Sequence, residues 1–365
     1  MNDELITDRA GAVRSGEELD IGAVDTWLKS RVASIEGTPD VTQYSGGASN
    51  WTYRLEYCNH DLILRRPPAG TKAKSAHDMA REYRVQSALK PVFPQVPEML
   101  AFCDDKSVIG DEFYVMRRID GIIPRARMPR GVSLTPQQAR QLCFNVIDKL
   151  VELHRVDVAA AGLGKLGKGS GYCQRQIDGW SERFAKSRTW NVWPAKPVIG
   201  WLKANVPSDT GICVIHGDFR LDNVVLDAAD ITRVIGVLDW EMATLGDPLM
   251  DLGNSLAYWV QSDDDFLMRM TRRQPTFLPG MLKRREVIDY YFEKMNLPPR
   301  SFDFYEVYGL FRLAVIVQQI YYRYHHGQTR NPAFKRFWLI ANYLNLRCLG
   351  IIRHHEKTRR KALPQ

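Results

Sequence analysis

Three polar side chains stand at the ends of short apolar runs between Ile212 and Glu241. Ile212-Cys213-Val214-Ile215 leads into His216-Gly217-Asp218, and four residues later comes Asn223. Val224-Val225-Leu226 follows, then a turn at Asp227-Ala228-Ala229-Asp230, and a last run from Val234 to Leu238 ends at Asp239. Short apolar runs split by turn residues read as strands. Asp218, Asn223 and Asp239 therefore fall at strand ends rather than on a helical face. A hairpin from Val224 to Leu238 returns Asp239 toward Asn223. A carboxylate base and two oxygen donors for a hard divalent cation are what phosphoryl transfer requires.

The order Asp218, four residues, Asn223, then a later Asp239 follows the protein-kinase catalytic pattern. His216-Gly217-Asp218 stands where that pattern has His-Arg-Asp, and Asp239-Trp240-Glu241 where it has Asp-Phe-Gly. With Gly at 217 and Trp-Glu after Asp239, the stretch resembles the small-molecule branch of the kinase-like fold. That branch is the aminoglycoside phosphotransferase family, which also contains choline, homoserine and hydroxyacyl-CoA kinases; the look is closest to the hydroxyacyl-CoA kinase type. A lone His-Gly-Asp carries little weight, but the two motifs at hairpin distance are specific. The resemblance runs from about Val41 to Val260. Beyond it the chain matches only as a helical C-terminal lobe.

The resemblance implies an α+β, protein-kinase-like two-lobe fold. Residues 1–20 would be a flexible lead. An N-terminal lobe of one small antiparallel sheet and a packed helix would span 21–119, and a larger, mostly helical lobe 120–365. It implies ATP and Mg²⁺ as cofactors, Asp218 as the base, and Asn223 and Asp239 as metal ligands. The acceptor would be a small molecule.

The remaining elements are those that must position these groups. Apolar residues at helical spacing predict a helix from Asp20 to Ile35, with Asp20 as N-cap. Val41–Tyr44 and Trp51–Tyr57 read as strands around Ser45-Gly46-Gly47-Ala48-Ser49-Asn50. Small residues there let backbone N–H groups approach phosphate oxygens; taken alone, the loop also reads as an ordinary glycine hairpin. Leu62-Ile63-Leu64-Arg65 is a third strand, with Arg65 on the face of Ile63. By resemblance this strand carries the cation that holds the nucleotide phosphates. Most kinases have lysine there; this chain has Arg65, with Arg66 beside it. A helix over Ser75–Leu89 carries Glu82, which the resemblance pairs with the strand arginine. Tyr114 to Gly121 resembles the hinge, where adenine would meet the backbone of Arg117 and Ile119.

Further helices are predicted at Pro136–His154, near Tyr172–Ser187 and Pro197–Ala204, and at Arg284–Lys294, Phe302–Tyr324 and Pro332–Arg353. Thr135-Pro136 and Asp247-Pro248 are N-cap and first-turn pairs. Asp247 is therefore structural, and Asp251, one turn later, is placed to stabilise the loop behind the metal site. Gly162-Leu163-Gly164-Lys165-Leu166-Gly167 matches the dinucleotide fingerprint in letters only. It follows a helix instead of a strand, and is expected to be a flexible loop.

Bulk properties exclude several classes. The first twenty residues hold no apolar run, and the longest apolar stretch is interrupted by Arg312, so neither a signal peptide nor a membrane span is expected. Six dispersed cysteines fit a cytoplasmic protein better than a disulfide scaffold. The net charge is +8 and the pI about 9.1. From Asp251 onward nineteen Lys and Arg face ten Asp and Glu, so the C-terminal third carries the excess. No nucleic-acid-binding module is recognisable, and no such partner is expected. A cationic surface disfavours polycationic antibiotics and favours an anionic alcohol, such as a hydroxyacyl-CoA. Trp259, Tyr290, Tyr291, Tyr321 and Tyr322 would line an acyl pocket or belong to the core. An aminoglycoside-type kinase and a nucleotide-binding regulator without turnover are the alternatives. The oligomeric state is not readable.

Overall fold

The structure is a computed structural model, and the residues it describes are 10–44, 50–68 and 78–362. Strands β1 (Asp40–Gln43), β2 (Trp51–Glu56), β3 (Asp61–Arg66), β4 (Met99–Cys103) and β5 (Phe113–Arg117) form one antiparallel sheet, in the order β1-β2-β3-β5-β4. Period-two alternation sorts its side chains between two layers. Tyr53, Leu55, Leu62, Leu64, Phe113 and Val115 pack with Val24 and Leu28 of α1 (Ile21–Lys29). Ile63, Tyr114 and Met116 meet Met79 of α2 (Met79–Leu89) on the other face. Arg65 shares the parity of Ile63 and so points to the α2 side. Its neighbour Arg66 lies on the opposite side, over the Trp51 ring at 4.8 Å.

Asp20 caps α1 by accepting from the Ala23 N–H. The helix stops at Lys29, short of the Ile35 that apolar spacing suggested; Val32 and Ile35 continue as turns. Residues 10–20, expected to be a loose lead, are tied to the sheet. Gly11 bridges Gln43, and the Glu17 carbonyl accepts from the Tyr53 hydroxyl at 2.6 Å.

The second lobe is built on α4 (Pro136–His154), α5 (Tyr172–Ser187), α6 (Lys196–Ala204), α7 (Pro248–Ala257), α9 (Arg284–Met295), α10 (Asp303–His325) and α11 (Phe337–Ala362). Sequence reasoning missed two short helices, α3 (Lys106–Ile109) and α8 (Phe266–Met270). Helix α10 is the axis, with α5, α7 and α11 against it. Its approach to α7 requires glycine: a Cβ at Gly309 would lie 2.1 Å from the Gly253 carbonyl oxygen.

Two small ladders carry the chemistry-bearing loops. β7 (Val224–Leu226) and β8 (Val234–Val237) form the expected hairpin. β6 (Cys213–Ile215) pairs with β9 (Thr244–Gly246), a pairing not foreseen from sequence. It draws Asp247 and the first turn of α7 behind the His216-Gly217-Asp218 loop. The 162–167 glycine segment also packs against β9: Leu163 is buried, and a Cβ at Gly167 would meet Thr244 Oγ1 at 2.8 Å. Among the described residues, no helix is long and apolar enough to cross a membrane.

Candidate active site

The two lobes meet at a cleft of about 200 Å³. Arg65, Met116, Arg117, Ile119, Asn223 and Asp239 line it together. A larger concavity, about 960 Å³, lies around Lys283, Arg300 and His354 on the second lobe. It contains none of the predicted site residues.

The His216-Gly217-Asp218 loop is held from below by one carboxylate. Asp251 is fully buried and accepts the backbone N–H groups of His216 (2.9 Å, Oδ2) and Gly217 (2.9 Å, Oδ1). Its Oδ2 also lies 3.2 Å from His154 Nε2. Burial alone would raise its pKa, but these hydrogen bonds and the nearby histidines together hold it below the usual carboxylate range. Gly217 has φ +78°, and a Cβ there would stand 2.8 Å from the Met242 carbonyl oxygen. Glycine thus replaces the arginine of the protein-kinase pattern for a steric reason. The Gly217 carbonyl accepts from Arg312 Nη2 at 2.8 Å.

Asp218 and Asn223 are brought together by the short 3₁₀ turn Leu221–Asn223. Asn223 Nδ2 donates to the Asp218 carbonyl at 2.9 Å and to Asp218 Oδ2 at 3.3 Å. With Nδ2 so engaged, the amide presents Oδ1 as its remaining donor atom. Asp239 follows β8 with φ 69° and ψ 58°, a left-handed conformation that costs free energy in a non-glycine residue. The next ring, Trp240, is fully buried and donates Nε1 to Val237 O at 2.8 Å, which holds the turn.

Across the cleft, Arg65 Nη1 lies 3.5 Å from Glu82 Oε2, and Nη2 lies 3.4 Å from Asp239 Oδ1. Glu82 is not a surface residue: it is buried, bonded by Tyr114 Oη at 2.9 Å and Asn50 Nδ2 at 3.2 Å. Burial raises the Glu82 pKa and outweighs the opposing pull of Arg65 and of the Tyr114 hydroxyl. For Arg65, burial works against the charge, but Tyr114, Glu82, Asp239 and Glu241 together keep it firmly protonated. Its Nε is buried without a partner among the described residues.

Asn50 serves the protein's interior, touching Glu82 and, at 3.5 Å, Glu241 Oε2. Gly46, Gly47 and Ser49 lie outside the described residues. Arg117 donates its backbone N–H to the Glu98 carbonyl at 2.8 Å, which engages that group within the protein; Arg117 and Ile119 both line the cleft. Sequence reasoning missed Arg81, which donates to the Glu241 carbonyl at 3.2 Å and to the Ala243 carbonyl. It also missed Tyr114 as partner of Glu82, and Arg220, 3.1 Å from Asp218 Oδ2. Only Arg220 had a local signal: a cation two residues after the base.

The arginines at the hinge exit offer a ligand less charge than their number suggests. Arg117 pairs with Glu98 at 2.8 Å, Arg118 with Asp61 and Asp120 at 2.7 Å each, and Arg125 donates to the Asp222 carbonyl at 3.3 Å. Most of the aromatic set is engaged within the protein. Trp259 and Tyr291 are buried, bonded to Leu282 O and His154; Tyr290 bonds Asp148, and Tyr321 bonds Asn191.

Comparison with known proteins bears on the family and the fold. A family model described as the phosphotransferase enzyme family matches residues 40–287. Acyl-CoA dehydrogenase family member 11 of Rattus norvegicus is 36% identical over 333 residues, covering 89% of this chain and 42% of that protein. Family member 10 of Mus musculus is 34% identical over 310 residues, 84% of this chain and 29% of that one. The chain thus spans less than half the length of these curated relatives. A candidate aminoglycoside phosphotransferase from Ralstonia eutropha JMP134 superposes with a TM-score of 0.76 at 28% identity, covering 91% of this chain and 99% of that one. Choline kinase from Cryptosporidium parvum Iowa II gives 0.61 at 12% identity, over 92% and 97%, and shares the kinase-like two-lobe fold.

Proposed function

The chain belongs to the phosphotransferase enzyme family, and from that premise we propose that it moves the γ-phosphoryl group of ATP to a hydroxyl of a small molecule. The observation that carries this is the convergence of Asn223, Asp239 and Arg65 on one cleft, with Asp218 bonded to Asn223. Asn223 Oδ1 and the Asp239 carboxylate are hard oxygen donors, and they fit Mg²⁺. When bound, Mg²⁺ would neutralise charge on the nucleotide phosphates.

The chain's own groups do the rest. Asp218 orients the acceptor hydroxyl and takes its proton. Arg65, placed by Glu82, offers guanidinium donors to the phosphates, a role arginine fills with a two-pronged fork. The carbonyl of Arg117 and the backbone of Ile119 meet the adenine. Asp251 and Arg312 keep the loop in place during transfer, so catalysis is positioning and electrostatics.

The acceptor in this reading is an anionic alcohol, first of all a hydroxyacyl-CoA. The net charge of the C-terminal third supports it, and so do relatives whose names refer to acyl-CoA; the locally paired hinge arginines lend it nothing. The test is ADP release with Mg²⁺ and ATP across a panel of hydroxylated metabolites, with a hydroxyacyl-CoA and kanamycin compared at two salt concentrations. Higher kcat/KM for the hydroxyacyl-CoA, weakened by salt, is expected. A strong preference for kanamycin overturns the acceptor assignment, and no ADP release with any alcohol overturns the transfer itself.

A further inference from the structure

Resting on the phosphotransferase reading, we propose that Arg220 is a positioning residue for the transfer. It holds the Asp218 carboxylate by Oδ2, so that Oδ1 is the oxygen presented to the acceptor hydroxyl. Arg220 Nη2 lies 3.1 Å from Asp218 Oδ2. Asn223 Nδ2 reaches the same oxygen at 3.3 Å. Among the described residues no hydrogen bond falls on Oδ1. The terminal torsion of aspartate is broad and roughly two-fold, so an unheld carboxylate rotates between its two oxygens. An ion pair and a hydrogen bond converging on one oxygen restrict that freedom.

Arg220 can impose this because it is itself immobilised. Its side chain is 17% exposed, and its guanidinium lies over the Tyr258 ring at 4.5 Å. Its Nε lies 3.4 Å from Asp222 Oδ1, and its carbonyl accepts the Asn223 N–H at 2.9 Å. Gln274 then ties the stacking partner to the catalytic loop. Its Oε1 accepts from the Leu221 N–H at 2.7 Å, and its Nε2 donates to the Tyr258 carbonyl at 3.2 Å. The arginine, the ring it lies on and the loop it steadies therefore form one fixed unit. Charge alone explains less: a lysine could neutralise Asp218, but has neither the planar face for Tyr258 nor a second donor near Asp222.

A residue that acts only through Asp218 has no effect once Asp218 is disabled. The experiment is a double-mutant cycle of Arg220→Gln and Asp218→Asn. It is read as ADP release from Mg²⁺-ATP at high enzyme concentration, with water as the acceptor. Arg220→Gln is expected to lower kcat on the order of tenfold to a hundredfold, the cost of a misplaced catalytic group, with KM for ATP unchanged. Arg220→Lys should recover part of the loss. In the Asp218→Asn background the second substitution should add nothing. Additive losses, or an equal loss in ATP affinity, overturn the proposal, as does an unchanged kcat in Arg220→Gln. An Asp218→Asn variant with full kcat would instead overturn the phosphotransferase reading. A crystal structure of Arg220→Gln decides independently of turnover: a rotated Asp218 carboxylate is expected, and one left in place overturns the proposal.

Discussion

Two arginine–carboxylate contacts stand at the active cleft, and they are built in opposite ways. Arg220 and Asp218 are two residues apart on one loop, 3.1 Å from each other. Arg65 instead spans Glu82 of α2 at 3.5 Å and Asp239, 174 positions along the chain, at 3.4 Å. Charge-assisted N–H···O contacts usually close to about 2.7–2.9 Å. Both pairs are longer than that, but Arg65 stands farther from each of its two carboxylates than Arg220 does from Asp218. The Asp218 side is thus the more closely paired, locked half and the Arg65 side the looser, open half. Under the proposed function, the locked half would set geometry for proton transfer, and the open half would offer Arg65 donors to an incoming polyanion.

The largest effect comes from the residue that pairs with Arg65 and lines the cleft beside Asn223. Asp239→Asn is expected to abolish turnover, because it removes a hard anionic donor from the cation and a counter-charge from Arg65. The fold should stay intact, since the turn is held by Trp240 and not by the carboxylate. The measurement is turnover as a function of Mg²⁺ concentration, with thermal unfolding as control. Wild-type rates at low Mg²⁺ would sink the metal assignment.

Next comes the foundation of the locked half. Asp251→Asn leaves an amide N–H group facing a backbone N–H, so a buried hydrogen bond becomes a repulsion. Removing one partner from such a site costs about 3 kcal/mol, read as a lower denaturant midpoint. Because the folded Asp251 carboxyl titrates below its ordinary value near 3.8, its stabilisation is present above that pH. It is lost as pH falls through the lower, folded value. The gap between wild type and Asp251→Asn should therefore be full near neutrality and shrink below about pH 4. A gap independent of pH would mean that the aspartate is not ionised in its site.

The same contrast explains what could be read from sequence. His216-Gly217-Asp218 and Asn223 are legible because the site is made within one loop, where spacing is geometry. The Val224–Leu238 hairpin was legible because turn residues separate its two apolar runs. Arg65 had the correct face by strand parity alone, since Leu62 and Leu64 had to face the other core. The burial of Glu82 was not legible, because one glutamate on a helix carries no local mark of what covers it. Tyr114 and Asn50, both 32 positions away, do that. Nor was Arg81, whose acceptors are 160 and 162 positions distant. The β6–β9 pairing escaped for the same reason: three-residue strands bear no periodic signal. Nor was the pairing of the hinge arginines legible, because a count of arginines is blind to Glu98, Asp61 and Asp120 beside them.

The smallest effect, and the finest test of the open half, compares two neighbouring arginines. Arg65 and Arg66 are adjacent in sequence and lie on opposite faces of β3. Arg65 enters the cleft, whereas Arg66 lies on Trp51. Arg65→Ala should weaken ATP by about 1.5–3 kcal/mol, the worth of hydrogen bonds to a charged partner, and leave adenosine nearly unaffected. The loss must grow from adenosine to ADP to ATP, because the guanidinium meets phosphate and not base. Arg66→Ala removes a half-buried cation–π contact, so it should cost about 0.5–2 kcal/mol of stability and leave nucleotide affinity unchanged. Titration of the three ligands against both variants decides the matter. A larger ATP defect in Arg66→Ala would move the phosphate-binding cation by one residue and turn the strand over. Equal defects for adenosine and ATP in Arg65→Ala would make Arg65 a support for Glu82 and Asp239 alone. In that case the nucleotide side would be as preset as the catalytic loop.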